Sequence, residues 1–137
     1  MTGQGDRRNW TYLLKRGFTY GADWQIGASG QLTVDKALPD LPGVYALIVD
    51  EDIVYIGVTA RTLSKRMADY ARGPKAQRTS HRVHHLLKTA LGGGRVSRVL
   101  YAMPEHTDWN GLPVQTAPGL EQGLIQHIKP IWNLQGA

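Results

Sequence analysis

Gly43–Val49 reads GVYALIV and residues 53–57 read IVYIG, with Asp50, Glu51 and Asp52 between them. The first run is apolar at consecutive positions, as in a strand covered on both faces. The acidic triplet supplies a polar turn, and the second run returns antiparallel to the first. Tyr45 and Tyr55 therefore lie on neighbouring strands, with Gly43 two residues before one and Gly57 two residues after the other. Side chains alternate across a strand, so the turn decides whether the two phenols share a face. A three-residue turn pairs Val49 with Ile53 and puts both on one face; a two-residue turn separates them. Phenols on one face are either core packing or parts of one site.

Working outward, residues 62–72 read as a helix ended by Gly73-Pro74. A second helix is expected from Ser80, a good N-cap, to Leu91, before Gly92-Gly93-Gly94. Residues 95–102 form a third strand, 103–116 a turn-rich loop, and Pro118 to Lys129 a last helix before Pro130. Upstream, residues 1–8 are polar and glycine-rich and expected to fray. Asn9 caps a short helix carrying Trp10, Leu13 and Leu14, with Gly17 as its stop. Residues 18–42 read as short strands or a packed loop.

A chain of 137 residues and 15.2 kDa holds one domain with a proper core. No apolar run is long enough to span a bilayer, and the N-terminus lacks the apolar core of a signal peptide. There are no cysteines, which excludes disulfides and thiolate metal sites. A cytoplasmic location is the expectation. The net charge of +5 is concentrated. From 61 to 100 the chain carries Arg61, Lys65, Arg66, Arg72, Lys75, Arg78, Arg82, Lys88, Arg95 and Arg98 against Asp69 alone, about +9 by formal count. Such a field attracts polyanions, of which nucleic acid is the commonest; a basic face that serves solubility is the alternative.

Two charges fall on apolar helix faces. Leu63, Met67 and Tyr70 follow the spacing of an inward face, and Arg66 belongs to it, three after Leu63 and four before Tyr70. A guanidinium there needs a core carboxylate or an anionic ligand. In the last helix Leu120, Leu124, Ile125 and Ile128 form the apolar face, with Glu121 among them. Its partner is Arg66 or a hard divalent ion, and Mg²⁺ is often held by one or two carboxylates plus substrate phosphates. Tyr45, Tyr55, Arg66 and Glu121 together suit phosphodiester hydrolysis. A metal on Glu121 would polarise the phosphate, Arg66 would neutralise growing charge, and a phenol would take a proton from water.

At this point the residues resemble a known signature. Gly43-Val44-Tyr45 and Tyr55-Ile56-Gly57 are similar to the two paired elements of the GIY-YIG endonuclease family. Thr59 and the run Leu63-Ser64-Lys65-Arg66-Met67 resemble the helix that carries the family's arginine, and Tyr70 falls one turn later. Glu121, Leu124-Ile125, Pro130 and Asn133 keep the spacing E-x-x-L-I-x-x-x-x-P-x-x-N. The resemblance covers residues 41–135, and three elements in order are highly specific. It implies an α/β fold of the α+β type: a small three-stranded antiparallel sheet flanked by helices, with one divalent metal, Mg²⁺ or Mn²⁺. It divides the chain into an N-terminal extension, 1–40, packing on a nuclease domain, 41–137.

Carried over residue by residue, the resemblance makes Glu121 the metal ligand and Arg66 the phosphate-binding group. Tyr45 activates water, Tyr55 orients water or the scissile phosphate, and Tyr70 supports the network. Asn133 fixes the C-terminal segment or a water near the metal, and Gly43 and Gly57 support the site. Tyr55 to Arg66 is one residue longer than in several relatives, so Arg61 competes for the arginine role. Arg61, Lys65, Arg72, Lys75, Arg78, Arg82 and Lys88 are expected to face DNA, whether single-stranded, duplex or branched. Cleavage of both strands would need a homodimer, a partner protein or sequential nicks. A non-catalytic nucleic-acid-binding module on the same fold is the alternative.

Other candidates carry less. His81, His84 and His85 open the second helix, too few for a zinc site, and suit a solvated DNA-facing surface; His81 and His85 are expected to support the site. His106 and Asp108 fall in a loop. Trp10, Trp24, Trp109 and Trp132 read as packing residues rather than stacking platforms. Gly92-Gly93-Gly94 follows a helix and precedes no Lys-Ser/Thr pair, so it is not a phosphate loop.

Overall fold

The GVYALIV run is β3 (Gly43–Val49), buried at every position, as a strand covered on both faces must be. It pairs antiparallel with β4 (Asp52–Thr59) on one side and β5 (Ser97–Ala102) on the other. The computed structural model describes residues 6–134. Beyond β5 the sheet continues through β1 (Thr19–Ile26) and β2 (Leu32–Val34), in the order β2-β1-β5-β3-β4 with every pairing antiparallel. The mixed α/β class is as the motifs imply. The sheet has five strands rather than three, because residues 19–34 add two to the expected set. Their alternation is hard to read because Gly21 interrupts β1 at a register shift between Tyr20 and Ala22.

Helices cover both faces. On one, α2 (Leu63–Arg72) and α3 (Arg78–Gly92) pack Leu63, Met67, Val83 and Leu87 against Tyr45, Leu47 and Val99. On the other, α1 (Thr11–Leu14) and α4 (Thr116–Ile128) bring Leu13, Leu120, Leu124 and Ile128 to Val44, Ala46, Ile48 and Ile56. A last short helix, α5 (Ile131–Leu134), sends Trp132 into the first cluster. No helix among the described residues is long and apolar enough to cross a membrane.

The hairpin turn corrects the three-residue expectation. Val49 pairs with Asp52 and Ile48 with Ile53, so Asp50 and Glu51 alone form the turn, with Asp50 at φ 56°. Such a turn would send Tyr55 to the face opposite Tyr45. The register then shifts: Leu47 pairs with Tyr55 and Tyr45 with Gly57. Val54 is the extra residue of a β-bulge, and Val54 and Tyr55 both lie on the side of Tyr45 and Leu47. The bulge restores the shared face that the short turn would have cost.

Several boundaries also move. Thr62, read as the first helical residue, instead caps α2 by accepting from the Lys65 amide, and Gly73 ends the helix at φ 58°, the stop expected from sequence. The next helix, α3, starts at Arg78 instead of Ser80; Ser80 is buried and its hydroxyl bonds Gln77 Oε1 at 3.0 Å. The last helix, α4, starts at Thr116, which puts Pro118 third. The 103–116 loop holds a hairpin, β6 (Thr107–Trp109) and β7 (Leu112–Val114). Its turn, Asn110-Gly111, has both φ values positive, the arrangement that favours Asn-Gly. The two strands are short and exposed throughout, so no alternation betrays them.

Candidate active site

Tyr45, Tyr55 and Tyr70 meet on the α2 side of the β3–β4 hairpin. Their ring centroids lie 5.9 Å apart for Tyr45 and Tyr70, 6.3 Å for Tyr45 and Tyr55, and 6.4 Å for Tyr55 and Tyr70. The hydroxyls of Tyr45 and Tyr70 hydrogen-bond each other. Tyr45 is only 2% exposed, while Tyr55 is partly exposed. Gly57 makes this packing possible: a β-carbon there would collide with the ring and hydroxyl of Tyr45. Gly43 is similarly confined, with the Ala102 carbonyl where its β-carbon would go.

Burial pushes the Tyr45 phenol well above its ordinary pKa, and the neighbouring Tyr55 adds to the rise. The Tyr70 hydrogen bond and Arg66 oppose that shift, and Glu121 reinforces it. The same phenol thus feels Arg66 from one helical layer and Glu121 from the other. Burial and the other two phenols raise Tyr70 as well.

Arg66 projects from α2 toward Tyr70, its guanidinium carbon 6.0 Å from the ring centroid. Its Nε is buried without a hydrogen-bond partner. Among the described residues Arg66 joins no ion pair, so the pairing with Glu121 weighed from sequence does not form. Glu121, on α4, likewise joins no ion pair among the described residues, and desolvation raises its pKa from the ordinary carboxylate value. A charge held in partial burial without a partner is costly.

Asn133 is bound to the hairpin. Its Oδ1 accepts from the Ile56 amide at 2.8 Å and its Nδ2 donates to the Ile56 carbonyl at 2.9 Å. The side-chain amide occupies the outer edge of β4 as a further strand would, one residue from Gly57.

Sequence reasoning missed Asp69, which is 2% exposed. Arg61 donates to its Oδ2 at 3.1 Å and Arg72 to its Oδ1 at 2.7 Å. Asp69 lies three residues from both Arg66 and Arg72, and that helical spacing was the available signal. The histidines act in the same layer. His81 Nδ1 donates to the Gly73 carbonyl at 2.9 Å and His84 Nδ1 to the Tyr70 carbonyl at 2.8 Å. His85 is exposed, its ring 4.6 Å from that of His81. Arg82 donates to the Trp132 carbonyl at 3.0 Å. Lys65, Lys75, Arg78 and Lys88 form no ion pair among the described residues.

No group of three or more His, Cys, Asp or Glu converges among the described residues, so a protein-saturated zinc or calcium cage does not fit. A lone, partly buried carboxylate without an ion pair among the described residues does fit a hard cation that completes its shell with water and phosphate oxygens.

No protein-family model matches the chain. It is 30% identical over 102 residues to UvrABC system protein C of Chelativorans sp., covering 74% of this chain and 13% of that protein. It is 42% identical over 53 residues to the protein of the same name from Mesorhizobium japonicum, covering 38% and 8%. The chain therefore spans about a tenth of the length of the curated relatives it matches. Among solved structures, a mutant of bacteriophage T4 EndoII superposes with a TM-score of 0.76 at 18% identity, over 92% of this chain and 98% of that one. Restriction endonuclease HPY188I in complex with product DNA gives 0.55 at 16% identity, over 88% and 82%. The EndoII match takes in nearly the whole chain, so most of residues 1–40 falls within the shared fold. Three motifs in order, a fold shared with EndoII and sequence similarity to UvrABC system protein C all point to the GIY-YIG endonuclease family.

Proposed function

We propose that this chain hydrolyses DNA phosphodiester bonds with a divalent metal, Mg²⁺ or Mn²⁺, held by Glu121. The observation that carries the reading is that Arg66, its Nε buried without a partner, and Glu121 stay unpaired among the described residues instead of neutralising each other. An arginine and a carboxylate kept for structure would pair. The metal supplies Lewis-acid stabilisation at the phosphate. Arg66 binds the scissile phosphate and stabilises the charge that grows on its oxygens. Lys65, Lys75 and Lys88 draw the polyanion in, and the DNA held by HPY188I is consistent with such a ligand.

The phenols divide the remaining work. Tyr45 is nearly inaccessible and its ionisation is strongly disfavoured, so it serves poorly as the group that takes the proton from water. Tyr55 is the partly exposed member of the cluster. We assign the water-activating role to Tyr55, reversing the order carried over from the family, and a positioning role to Tyr45 and Tyr70. Asn133 and Gly57 hold the hairpin edge on which both phenols depend.

The test is incubation with single-stranded, duplex and branched DNA in Mg²⁺ or Mn²⁺. Cleavage that Glu121→Ala abolishes while binding persists is the expected result. Binding without cleavage on every substrate would make the chain a nucleic-acid-binding module, and absence of binding at low salt would end both readings.

A further inference from the structure

Between α2 and the start of α3 lies a cavity of about 250 Å³ lined by Arg61, Arg66, Asp69, Gln77, Arg78, Thr79 and Ser80. None of the three clustered tyrosines and not Glu121 lines it, so it adjoins the candidate active site through Arg66 without being the place where the phenols meet. Three guanidiniums face one carboxylate there, and Arg72 further offsets that carboxylate from outside the cavity. The local charge is strongly positive.

Backbone donors point the same way. No side chain caps α3, and the amides of Arg78, Thr79 and Ser80 have no acceptor in the loop before them, where the first such bond is His81 to Gln77 at 2.8 Å. Free first-turn amides and a helix dipole favour an anion. Arg66 lines the cavity, and no carboxylate among the described residues pairs with its guanidinium. Arg78 is exposed and joins no ion pair among the described residues.

We propose that this cavity binds a second phosphate of the DNA strand, a backbone phosphodiester flanking the one held by Arg66. The proposal rests on the nuclease reading and deepens it. Arg66 stands between the two phosphates, Arg78 and the α3 amides hold the outer one, and the strand is fixed at two points. Two fixed phosphates set where along the backbone the scissile bond sits, a positioning contact indifferent to base identity. Asp69 holds Arg61 at the cavity wall.

The test measures binding by the full chain carrying Glu121→Gln, with single neutral methylphosphonates stepped along a DNA strand. With Arg78 present, affinity is expected to fall about tenfold at two positions, the scissile phosphate and one flanking it. Adding Arg78→Ala should cost about tenfold on the unmodified strand, abolish the sensitivity at the flanking position and leave that at the scissile one. It should also lower the salt slope by about one. Arg78→Lys should recover part of the loss. A uniform loss with both sensitivities retained overturns the subsite. The two readings separate cleanly. Position-specific coupling to Arg78 in a chain that never cuts keeps the subsite and removes the nuclease assignment. Cleavage without that coupling does the reverse, and failure to bind DNA at low salt removes both.

Discussion

The ring of Tyr45 occupies the space that a side chain on Gly57 would need, across the pairing of β3 with the edge strand β4. Tyr45 and Gly57 are direct cross-strand partners, so the glycine of the second motif makes room for the tyrosine of the first. The two halves of the signature are one packing unit.

Gly57→Ala should therefore damage both fold and site. The new methyl group meets ring and hydroxyl, and relief requires moving a fully packed aromatic. We expect a loss of about 1–3 kcal/mol in urea unfolding together with a drop in cleavage rate. Unchanged stability would show that Tyr45 can relocate freely.

The phenols should separate kinetically. Tyr55→Phe is expected to lower kcat about 100-fold or more, as for loss of a general base. Tyr45→Phe should cost much less in kcat while lowering the melting temperature, because its hydroxyl bonds Tyr70 inside the core. Single-turnover rates with saturating metal decide between them. An equal or larger rate loss in Tyr45→Phe would return the proton-accepting role to Tyr45.

Arg66 should resist conservative replacement. Arg66→Ala is expected to reduce kcat/KM about 100- to 1,000-fold. Arg66→Lys should recover little, since an ammonium cannot span two phosphate oxygens as a guanidinium fork does. Recovery to near wild-type rate in Arg66→Lys would reduce the role of this residue to point charge.

Glu121 gives a pH signature in stability. Its folded pKa is raised by desolvation, so in the window above the ordinary carboxylate value the folded state binds more protons than the unfolded one. Stability then falls as pH rises through that window. Glu121→Gln should melt higher than wild type at neutral pH without metal, with the gap closing in acid where both side chains are uncharged. Added Mg²⁺ should narrow the gap by stabilising wild type alone. A variant less stable than wild type at neutral pH would mean that Glu121 has a structural partner.

Asn133→Ala removes both bonds to the Ile56 backbone and leaves that amide and carbonyl partly buried. A destabilisation of about 1–3 kcal/mol is expected, with faster hydrogen exchange at the Ile56 amide. Exchange unchanged at that amide would show that the β4 edge is protected by something else.

Local pattern carried a large part of this molecule. The two-faced apolar run of β3 announced a central strand, because a strand covered on both sides needs no polar alternation. Helical periodicity alone placed Arg66 on the face of Leu63, Met67 and Tyr70, and Glu121 on that of Leu120 and Leu124. The Thr62 hydroxyl sets a cap, and Gly73 and the Asn110-Gly111 pair take left-handed conformations that glycine and asparagine tolerate best. These features depend on neighbours a few residues away, so the amino-acid sequence by itself determined them. What only the tertiary structure decided depends on long-range contacts. The bulge at Val54, which puts Tyr55 beside Tyr45 despite a two-residue turn, joins both Val54 and Tyr55 to one core cluster and leaves no mark in the alternation of IVYIG. The burial of Tyr45, the separation of Arg66 from Glu121 and the capture of Arg61 by Asp69 belong to the same class. Periodicity tells which face a charge occupies; only the packing of two helical layers on one sheet tells what it meets there.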